Sequence, residues 1–250
     1  MARKETARSR INQTLTLPEY TIKENPRARH VYLKLSWHGE LEIVVPRGYN
    51  RRRTPEVIAA KRIWLERVRA RMRRQTQTLP AEYFEQMPTR VRLRALGSTY
   101  AVTYRPTADP RIAVVESGKS LIIEGPSNDA AACVLGLRVW LKDKARETLT
   151  PRLRRTSQEL GLPYTKAIIR SQRSRWGSCS VRRVISLNSK LLFLPKKQVY
   201  YLFVHELCHT KYLDHSLRYW ALVKHKLPDY RCYEAALRNG WRYVPRWVGD

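Results

Sequence analysis

Residues 204–215 read VHELCHTKYLDH, a His-Glu-x-x-His motif followed by a third histidine. Positions four apart share one face of a helix, so His205 and His209 can point to one centre. Two imidazoles arranged in this way bind Zn²⁺ at about 2.0–2.1 Å. Glu206 is the usual general base of such a motif, because it polarises a water rather than binding the metal. Half of the chain's six histidines fall in this segment, which favours a metal site over a buried helix with incidental histidines.

The third histidine constrains the backbone. His215 follows His209 by six residues, which is about 240° around a continuous helix, so on one helix the two rings would face apart. If His215 is the third ligand, the helix must end between Thr210 and Asp214 and the chain must fold back. Zinc proteases with a longer motif place a glycine in this turn, whereas this chain has Tyr212. Asp214 tolerates turn conformations and is the candidate for the reversal.

The composition points to a folded, strongly basic protein. The chain has 250 residues, enough for one large domain or two small ones, and a hydrophobic content of 43%. Its 49 lysines and arginines against 21 acidic residues give a net charge of +28, spread along the sequence. Such a charge favours polyanions, so DNA or RNA, ribosomes and an anionic membrane surface are candidate partners. The alternative is a basic, solvated surface without such a partner.

The cysteines and the apolar segments indicate the compartment. The four cysteines are widely spaced without a Cys-x-x-Cys pair, so free thiols in a reducing compartment are expected. Cys208 lies inside the histidine motif but on another helix face, which predicts packing in the core. The basic N-terminus lacks the apolar segment of a signal peptide. No apolar run reaches the roughly 18 residues of a membrane-spanning helix. We therefore expect a cytoplasmic protein with no membrane insertion.

Regular patterns precede the histidine motif. Alternating apolar residues predict three β-hairpins, over residues 31–45, 91–105 and 111–124. Helical patterns with a central tryptophan predict two helices, at residues 54–74 with Trp64 and from residue 127 to about residue 149 with Trp140. Pro151 is expected to break or restart the second helix, and Gly161 to end it.

A strand pair is predicted over residues 165–188, just before the histidine motif. In zinc proteases a sheet edge above the metal helix receives the substrate as an added strand. Arg173 and Arg175 would then border the cleft, and Gly177 suits a close backbone approach. An ordinary hairpin with exposed arginines is the alternative.

These motifs resemble the YgjP-like zinc metallopeptidase family. The resemblance rests on RSRWGSC at 173–179, ISLN at 185–188, HELCH at 205–209, and His215-Ser216 with Tyr219-Trp220. It implies an α+β fold: a zincin-like catalytic domain with a buried metal-binding helix and a small sheet, preceded by a β-rich N-terminal region. Carried over by position, it makes His205, His209 and His215 the zinc ligands and Glu206 the base. The family is similar in motif to the SprT and WLM proteases, some of which act on proteins attached to DNA.

The resemblance and the patterns together predict three parts. These are a basic flexible arm at 1–20, a β-rich region with two tryptophan-containing helices at 21–160, and a zincin-like metallopeptidase domain at 161–250. Three sites depart from the family's usual pattern: Cys208 replaces a small residue, Arg182-Arg183 replaces a turn where glycine is common, and Asp214 replaces an asparagine. None of these changes removes a chemical group that the mechanism needs.

The first functional hypothesis is zinc-dependent hydrolysis of a protein or peptide substrate, with Glu206 moving the proton. Tyr212, Tyr219 and Arg175 are the candidates for stabilising the oxyanion. Contacts to the substrate are expected from Arg173, Arg175, Trp176, Gly177, Tyr212 and Tyr219.

The second hypothesis is a basic nucleic-acid-binding protein whose zinc site is structural or vestigial. Structural zinc sites usually close with a fourth protein ligand, so Cys208 at the metal would favour this reading and a water would favour the enzyme. The two hypotheses combine in a protease that acts on nucleic-acid-associated proteins. Its binding to DNA or RNA would weaken steeply with salt.

Overall fold

A computed structural model describes residues 19–35, 39–77, 79 and 83–249. They form two compact units, which meet in sequence between Arg74 and Gln75. Residues 1–18, most of the predicted flexible arm, lie outside the described residues, as do Trp37 and His38 of the first predicted hairpin. None of the helices in the described part of the chain is long and apolar enough to cross a membrane.

The first unit places a small sheet beside two helices. Its strands are β1 (Tyr20–Glu24), β2 (Tyr32–Leu35) and β3 (Leu41–Val45), in the order β1-β3-β2. β2 and β3 pair antiparallel, which confirms the hairpin predicted over 31–45, and β1 pairs parallel to β3. Helices α1 (Thr54–Ala60) and α2 (Arg62–Thr76) follow, so the predicted single helix is divided at Lys61. Alternate residues of β3 bury their side chains with Ile58 and Leu65.

The second unit begins with a four-stranded sheet. Its strands are β4 (Arg90–Leu93), β5 (Ser98–Pro106), β6 (Ala113–Ser117) and β7 (Ser120–Gly125), in the order β4-β5-β7-β6. The pairs β4–β5 and β6–β7 are antiparallel and confirm the other two predicted hairpins. A parallel pairing of β5 with β7 joins the two hairpins into one sheet.

Helix α3 (Ala130–Leu160) packs its apolar face into the core of this unit. Asp129 caps its start by accepting a hydrogen bond from the Ala132 amide, and Gly161 ends it with a left-handed φ of 66°. The break predicted at Pro151 is wrong, because the helix runs through it. Pro151 lacks the amide donor of one helical hydrogen bond. The buried side chains of Leu149 and Leu153 hold the helix on both sides of this missing bond.

A charged cluster ties β6 to α3. The Glu116 carboxylate accepts a hydrogen bond from Trp140 Nε1 at 2.8 Å and pairs with Lys144 Nζ at 2.7 Å. Partial burial raises the pKa of Glu116, but the hydrogen bonds from Lys144 and Trp140 outweigh it, so the pKa lies below its usual value. The cluster therefore favours the ionised carboxylate.

The last part of the chain forms a third sheet and three helices. Its strands are β8 (Lys166–Arg170), β9 (Gly177–Cys179) and β10 (Val184–Asn188), followed by helices α4 (Lys196–Cys208), α5 (Leu217–Lys226) and α6 (Tyr230–Arg238). The sheet order is β8-β10-β9, with β9 antiparallel and β8 parallel to β10. Arg183, in the turn between β9 and β10, adopts a left-handed φ of 57°. An arginine thus takes the conformation for which glycine is common.

These elements make an α+β fold, as predicted. One hydrophobic core contains residues from β4 to the C-terminal segment, including Leu137 of α3, Leu187 of β10 and Phe203 of α4. The core therefore continues across residue 160, and the division into a β-rich region at 21–160 and a metallopeptidase domain at 161–250 stays a prediction.

Candidate metal centre

Helix α4 carries the histidine motif through the core. Leu202, Phe203 and Val204 are buried, so the helix has apolar contacts on most of its surface. It ends at Cys208, just before the predicted range of 210–214. Turns formed by the hydrogen bonds Thr210 N–Leu207 O and Tyr212 N–Cys208 O then redirect the chain.

The redirected chain brings the third histidine back to the first two. The ring nitrogens of His205, His209 and His215 that face one another lie within 4.8 Å. The Nε2 atoms of His205 and His215 are 3.4 Å apart. Two nitrogens bound tetrahedrally at 2.0–2.1 Å from one zinc ion are separated by about 3.3–3.4 Å. The spacing of this pair therefore fits a single metal ion.

Neighbouring groups orient the imidazoles. His209 Nδ1 lies 2.9 Å from the carbonyl oxygen of Tyr212, to which it donates in the tautomer that leaves Nε2 free. The Tyr201 hydroxyl is 3.4 Å from His205 Nδ1. The ring of Tyr219 stacks on His209 at 4.4 Å, and its hydroxyl donates to the carbonyl oxygen of His205 at 3.2 Å. These contacts hold the rings of His205 and His209 in orientations typical of metal ligands.

The protonation of the ring nitrogens suits metal binding. Burial, together with the other two histidines, lowers the pKa of His205 to about 3, and burial lowers that of His209. Their rings are therefore neutral at pH 7, with lone pairs available. Burial raises the pKa of Cys208 to about 12, so its side chain is a thiol. Within the described residues, this cluster contains three histidines and no cysteine.

Glu206 is buried and faces the first residue of strand β9. Its side chain is 3% exposed, and no hydrogen-bond partner for Oε2 lies within the described ranges. Burial raises the pKa of Glu206 to about 8, against the opposing charge of Arg175. A Cβ added to Gly177 would lie 2.6 Å from Glu206 Oε1. Gly177 thus allows a close backbone approach, here to the carboxylate.

Asn188 organises the loop that precedes β9, and the sequence reasoning gave it no role. Its side-chain amide donates to the carbonyl oxygens of Gln172 and Arg175, at 2.8 and 2.7 Å. Its own backbone N–H donates to the carbonyl of Trp176 at 2.9 Å. Asn188 is fully buried. In the sequence, the sign of its role was a polar residue at the end of an apolar strand. It sets the path of the Arg-Trp loop, which we define as residues 171–176.

The Arg-Trp loop brings one predicted residue into a cleft beside the histidines. Trp176 lines a cavity of ≈ 470 Å³ together with His205 and His215. Arg173 and Arg175 are exposed. We define this cavity as the tryptophan cleft, because three tryptophans line it: Trp176, Trp220 and Trp241. Trp220 belongs to a motif of the resemblance but was given no role, and Trp241 is an additional residue that no motif indicated.

The two tyrosines take other positions. Tyr219 is fully buried, and its hydroxyl is used by the backbone of α4. The side chain of Tyr212 lines a different cavity, with Lys211 and Arg218. Both tyrosines therefore support the histidines, Tyr212 through its carbonyl and Tyr219 through its ring.

Comparisons with known proteins identify the family. A solved structure similar to this chain is the metallopeptidase zymogen of Pyrococcus abyssi abylysin. It is 23% identical over 35% of this chain and 89% of that chain, with a TM-score of 0.32. A search of curated proteins found no significant match. The sequence model of the YgjP-like metallopeptidase domain matches residues 29–240, which is most of the chain. The chain therefore belongs to the YgjP-like metallopeptidase family, whose name implies a peptidase that uses a metal ion.

Proposed function

We propose that this protein is a zinc-dependent metallopeptidase in which His205, His209 and His215 bind the metal and Glu206 is the general base. The observation that carries the proposal is the convergence of three imidazoles, with Nε2 atoms 3.4 Å apart in one pair, beside a buried carboxylate. Membership of a metallopeptidase family supports it.

Zinc is the metal that this donor set favours. Imidazole nitrogens suit zinc, and catalytic zinc sites combine three protein ligands with one open position. A structural site closes with a fourth ligand, commonly a cysteine thiolate. Cys208 is the nearest candidate in sequence, but its thiol is fully buried and protonated. The arrangement therefore favours a catalytic site over the alternative of a nucleic-acid-binding protein with a structural or vestigial zinc.

The residues of the chain divide the work of hydrolysis. Bound zinc supplies Lewis acidity, which polarises the peptide carbonyl and makes water more acidic. Glu206 takes the proton of the attacking water and passes it to the leaving amine. Its Oε2 makes no hydrogen bond to the described residues, so a lone pair is available. Burial raises the pKa of Glu206, and a divalent cation held by the neighbouring His205 would oppose that effect and favour the ionised base.

Arg175 is the candidate that the geometry favours for stabilising the oxyanion. It is exposed, and its positive charge acts at Glu206, where it opposes the larger effect of burial that raises the pKa of that carboxyl. Tyr212 and Tyr219 are less suitable, because the first lines another cavity and the second donates its hydroxyl to the backbone. Substrate contacts from Arg173, Trp176 and Gly177 remain part of the proposal.

Metal analysis and peptide hydrolysis test this function together. Wild type should hold about one zinc per chain and lose peptidase activity with a chelator. Glu206→Gln keeps the three imidazoles, so it should retain zinc and lose hydrolysis. His215→Ala should lose zinc affinity by at least about 100-fold, more than the loss of a group that only orients a ligand. Hydrolysis by Glu206→Gln at the wild-type rate would exclude this mechanism.

We further propose that the substrates are proteins associated with nucleic acid. A cavity of ≈ 530 Å³ supports this, because Arg90, Arg92, Arg94 and Lys196 line it and no acidic residue does. Such a concentration of positive charge suits the phosphates of DNA or RNA. The alternating burial along β4 explains part of this positive charge. Val91 and Leu93 face the core, while Arg90 and Arg92 face solvent.

Salt titration with matched variants tests the nucleic-acid link. Replacing Arg90, Arg92 and Lys196 by serine should weaken oligonucleotide binding. It should also make the slope of log K against log salt less negative, by up to about 3. Replacing Arg67, Arg69 and Arg71 of α2 removes the same charge elsewhere and should have less effect. Equal effects would assign binding to overall charge, and salt-independent binding would contradict the proposal.

A cytoplasmic location is also proposed. Cys133, Cys179, Cys208 and Cys232 are all free, which agrees with the predicted reducing compartment.

A further inference from the structure

The tryptophan cleft opens directly beside two of the three histidines. Its walls include Trp176, Trp220 and Trp241 together with Leu202 and Leu237, and His205 and His215 line it too. Its volume, ≈ 470 Å³, lies within the range of about 300–1,000 Å³ of small-ligand sites. An extended peptide with its scissile bond at the histidines would place a neighbouring side chain at this cleft.

One wall of the cleft is held rigidly. The rings of Trp176 and Trp241 stack at 4.0 Å with an interplanar angle of 23°. Gly240 allows this packing, because a Cβ there would lie 3.1 Å from the Trp176 ring and 3.0 Å from Leu194. The hydrogen bonds of Asn188 fix the loop that ends at Trp176. The wall is therefore formed before any substrate binds.

A second wall is also preformed. Trp220 stacks on His215 at 5.5 Å and on Tyr230 at 5.3 Å, with interplanar angles of 24° and 20°. Aromatic rings held in this way offer large, rigid apolar surfaces to a bound side chain.

The charges of the cleft cancel, in a protein whose net charge is +28. Glu234 and Arg238 are the acidic and the basic residue of the lining, and they form an ion pair at 2.9 Å. A charged substrate side chain would lose water here without gaining a free counter-ion, which is unfavourable. An apolar side chain would lose only contact with water, which is favourable.

We propose that the tryptophan cleft is a specificity site for a large apolar side chain, aromatic or leucine-like, next to the scissile bond. This inference rests on the proposed peptidase function, and it makes peptides with bulky apolar residues the preferred substrates. Trp241 and Leu237 select the substrate side chain. Both residues line the cleft, and neither stacks on a histidine of the metal centre.

Cleavage of a peptide library tests the preference. Zinc-loaded wild type should cut next to phenylalanine, tryptophan or leucine, always on the same side, with kcat/KM about tenfold or more above alanine. Trp241→Ala should reduce this preference by about tenfold, and Trp241→Phe should restore it. Leu237→Lys should shift the preference toward acidic residues. Trp64→Ala, which changes an exposed tryptophan of the first unit, should leave the preference unchanged.

A binding measurement separates the cleft from the chemistry. Glu206→Gln, which keeps the cleft, is titrated with labelled glycine-serine peptides that carry one phenylalanine or one alanine. The phenylalanine peptide should bind about tenfold more tightly, and Trp241→Ala added to Glu206→Gln should abolish the difference. If wild type cuts no peptide but the phenylalanine peptide still binds more tightly, the proposed peptidase function is wrong and the proposed apolar binding site is supported. Equal binding of both peptides, or cleavage without preference, overturns the inference.

Discussion

Gly177→Ala tests how the general base is positioned. The added Cβ would lie 2.6 Å from Glu206 Oε1 and 3.0 Å from its Cγ and Cδ. Non-bonded carbon atoms are comfortable from about 3.5 Å, so the carboxylate must retreat by roughly 0.5–1 Å. Glu206 is 3% exposed, which leaves its side chain little room. Gly177 is not among the glycines with positive φ, so the substitution acts through the clash and not through the backbone.

The expected loss follows from that displacement. A misplacement of about 1 Å at a reacting group reduces the rate by roughly 100-fold, which corresponds to about 2.7 kcal/mol of transition-state free energy. The three atoms nearest to the added Cβ all belong to Glu206, so zinc content should stay near one per chain. The measurement is kcat/KM on a fluorogenic peptide, with metal content and the melting temperature determined on the same sample.

Two controls make the result specific to the Gly177–Glu206 contact. Ser178→Ala changes the next residue of β9 without adding a Cβ and should keep its activity. In a Glu206→Gln background, Gly177→Ala should cause no further loss, because the base is already absent. If Gly177→Ala cleaves at the wild-type rate with full zinc content, the contact does not position the base and the reasoning is refuted.

Three further changes test other contacts. Asn188→Ala removes the donors that hold the Arg-Trp loop and should lower kcat/KM about tenfold and stability by about 2–3 kcal/mol, with zinc content unchanged; full activity would show that the loop is fixed otherwise. Glu116→Gln should destabilise the protein by about 1–2 kcal/mol at pH 7, measured by urea unfolding. Because the folded-state pKa of Glu116 is depressed, its stabilisation is present above the unfolded pKa of about 4.3 and is lost as pH falls through the folded pKa. Wild type and Glu116→Gln should therefore converge in stability at acidic pH, and a constant difference would contradict the charge pairing. Arg183→Gly should stabilise by about 1 kcal/mol, because glycine has no steric penalty at a φ of 57°; a lower melting temperature would show that the arginine side chain has a favourable contact there.

The histidine motif was predictable because its information is local. His205 and His209 are related by helix geometry alone, and the hairpins confirmed in the structure are pairings of strands adjacent in sequence. The role of His215 as the third metal ligand was predicted from the family resemblance and not from helical spacing. The structure shows how it reaches the cluster, since α4 ends at Cys208 and the turn needs no glycine.

Other features depended on contacts between distant residues. The parallel pairings of β5 with β7 and β8 with β10 leave no local pattern. The stack of Trp176 on Trp241 joins residues 65 positions apart, and the motif around Trp176 does not indicate its partner. Pro151 was misread because local propensity was overridden by packing along α3. Asn188 was visible in the sequence, but its two bonds to the Arg-Trp loop exist only in the folded chain.

The closeness of the three histidines in sequence also bears on how the molecule assembles. His205 and His215 are ten positions apart, whereas the contact of Gly177 with Glu206 spans 29 positions and needs strand β9 in place. Closing the shorter segment loses less chain entropy, by roughly 1 kcal/mol for a threefold difference in length. This favours an order of folding in which metal capture precedes alignment of the base. In that order the histidines come together first, and Glu206 is aligned only when strand β9 packs against helix α4.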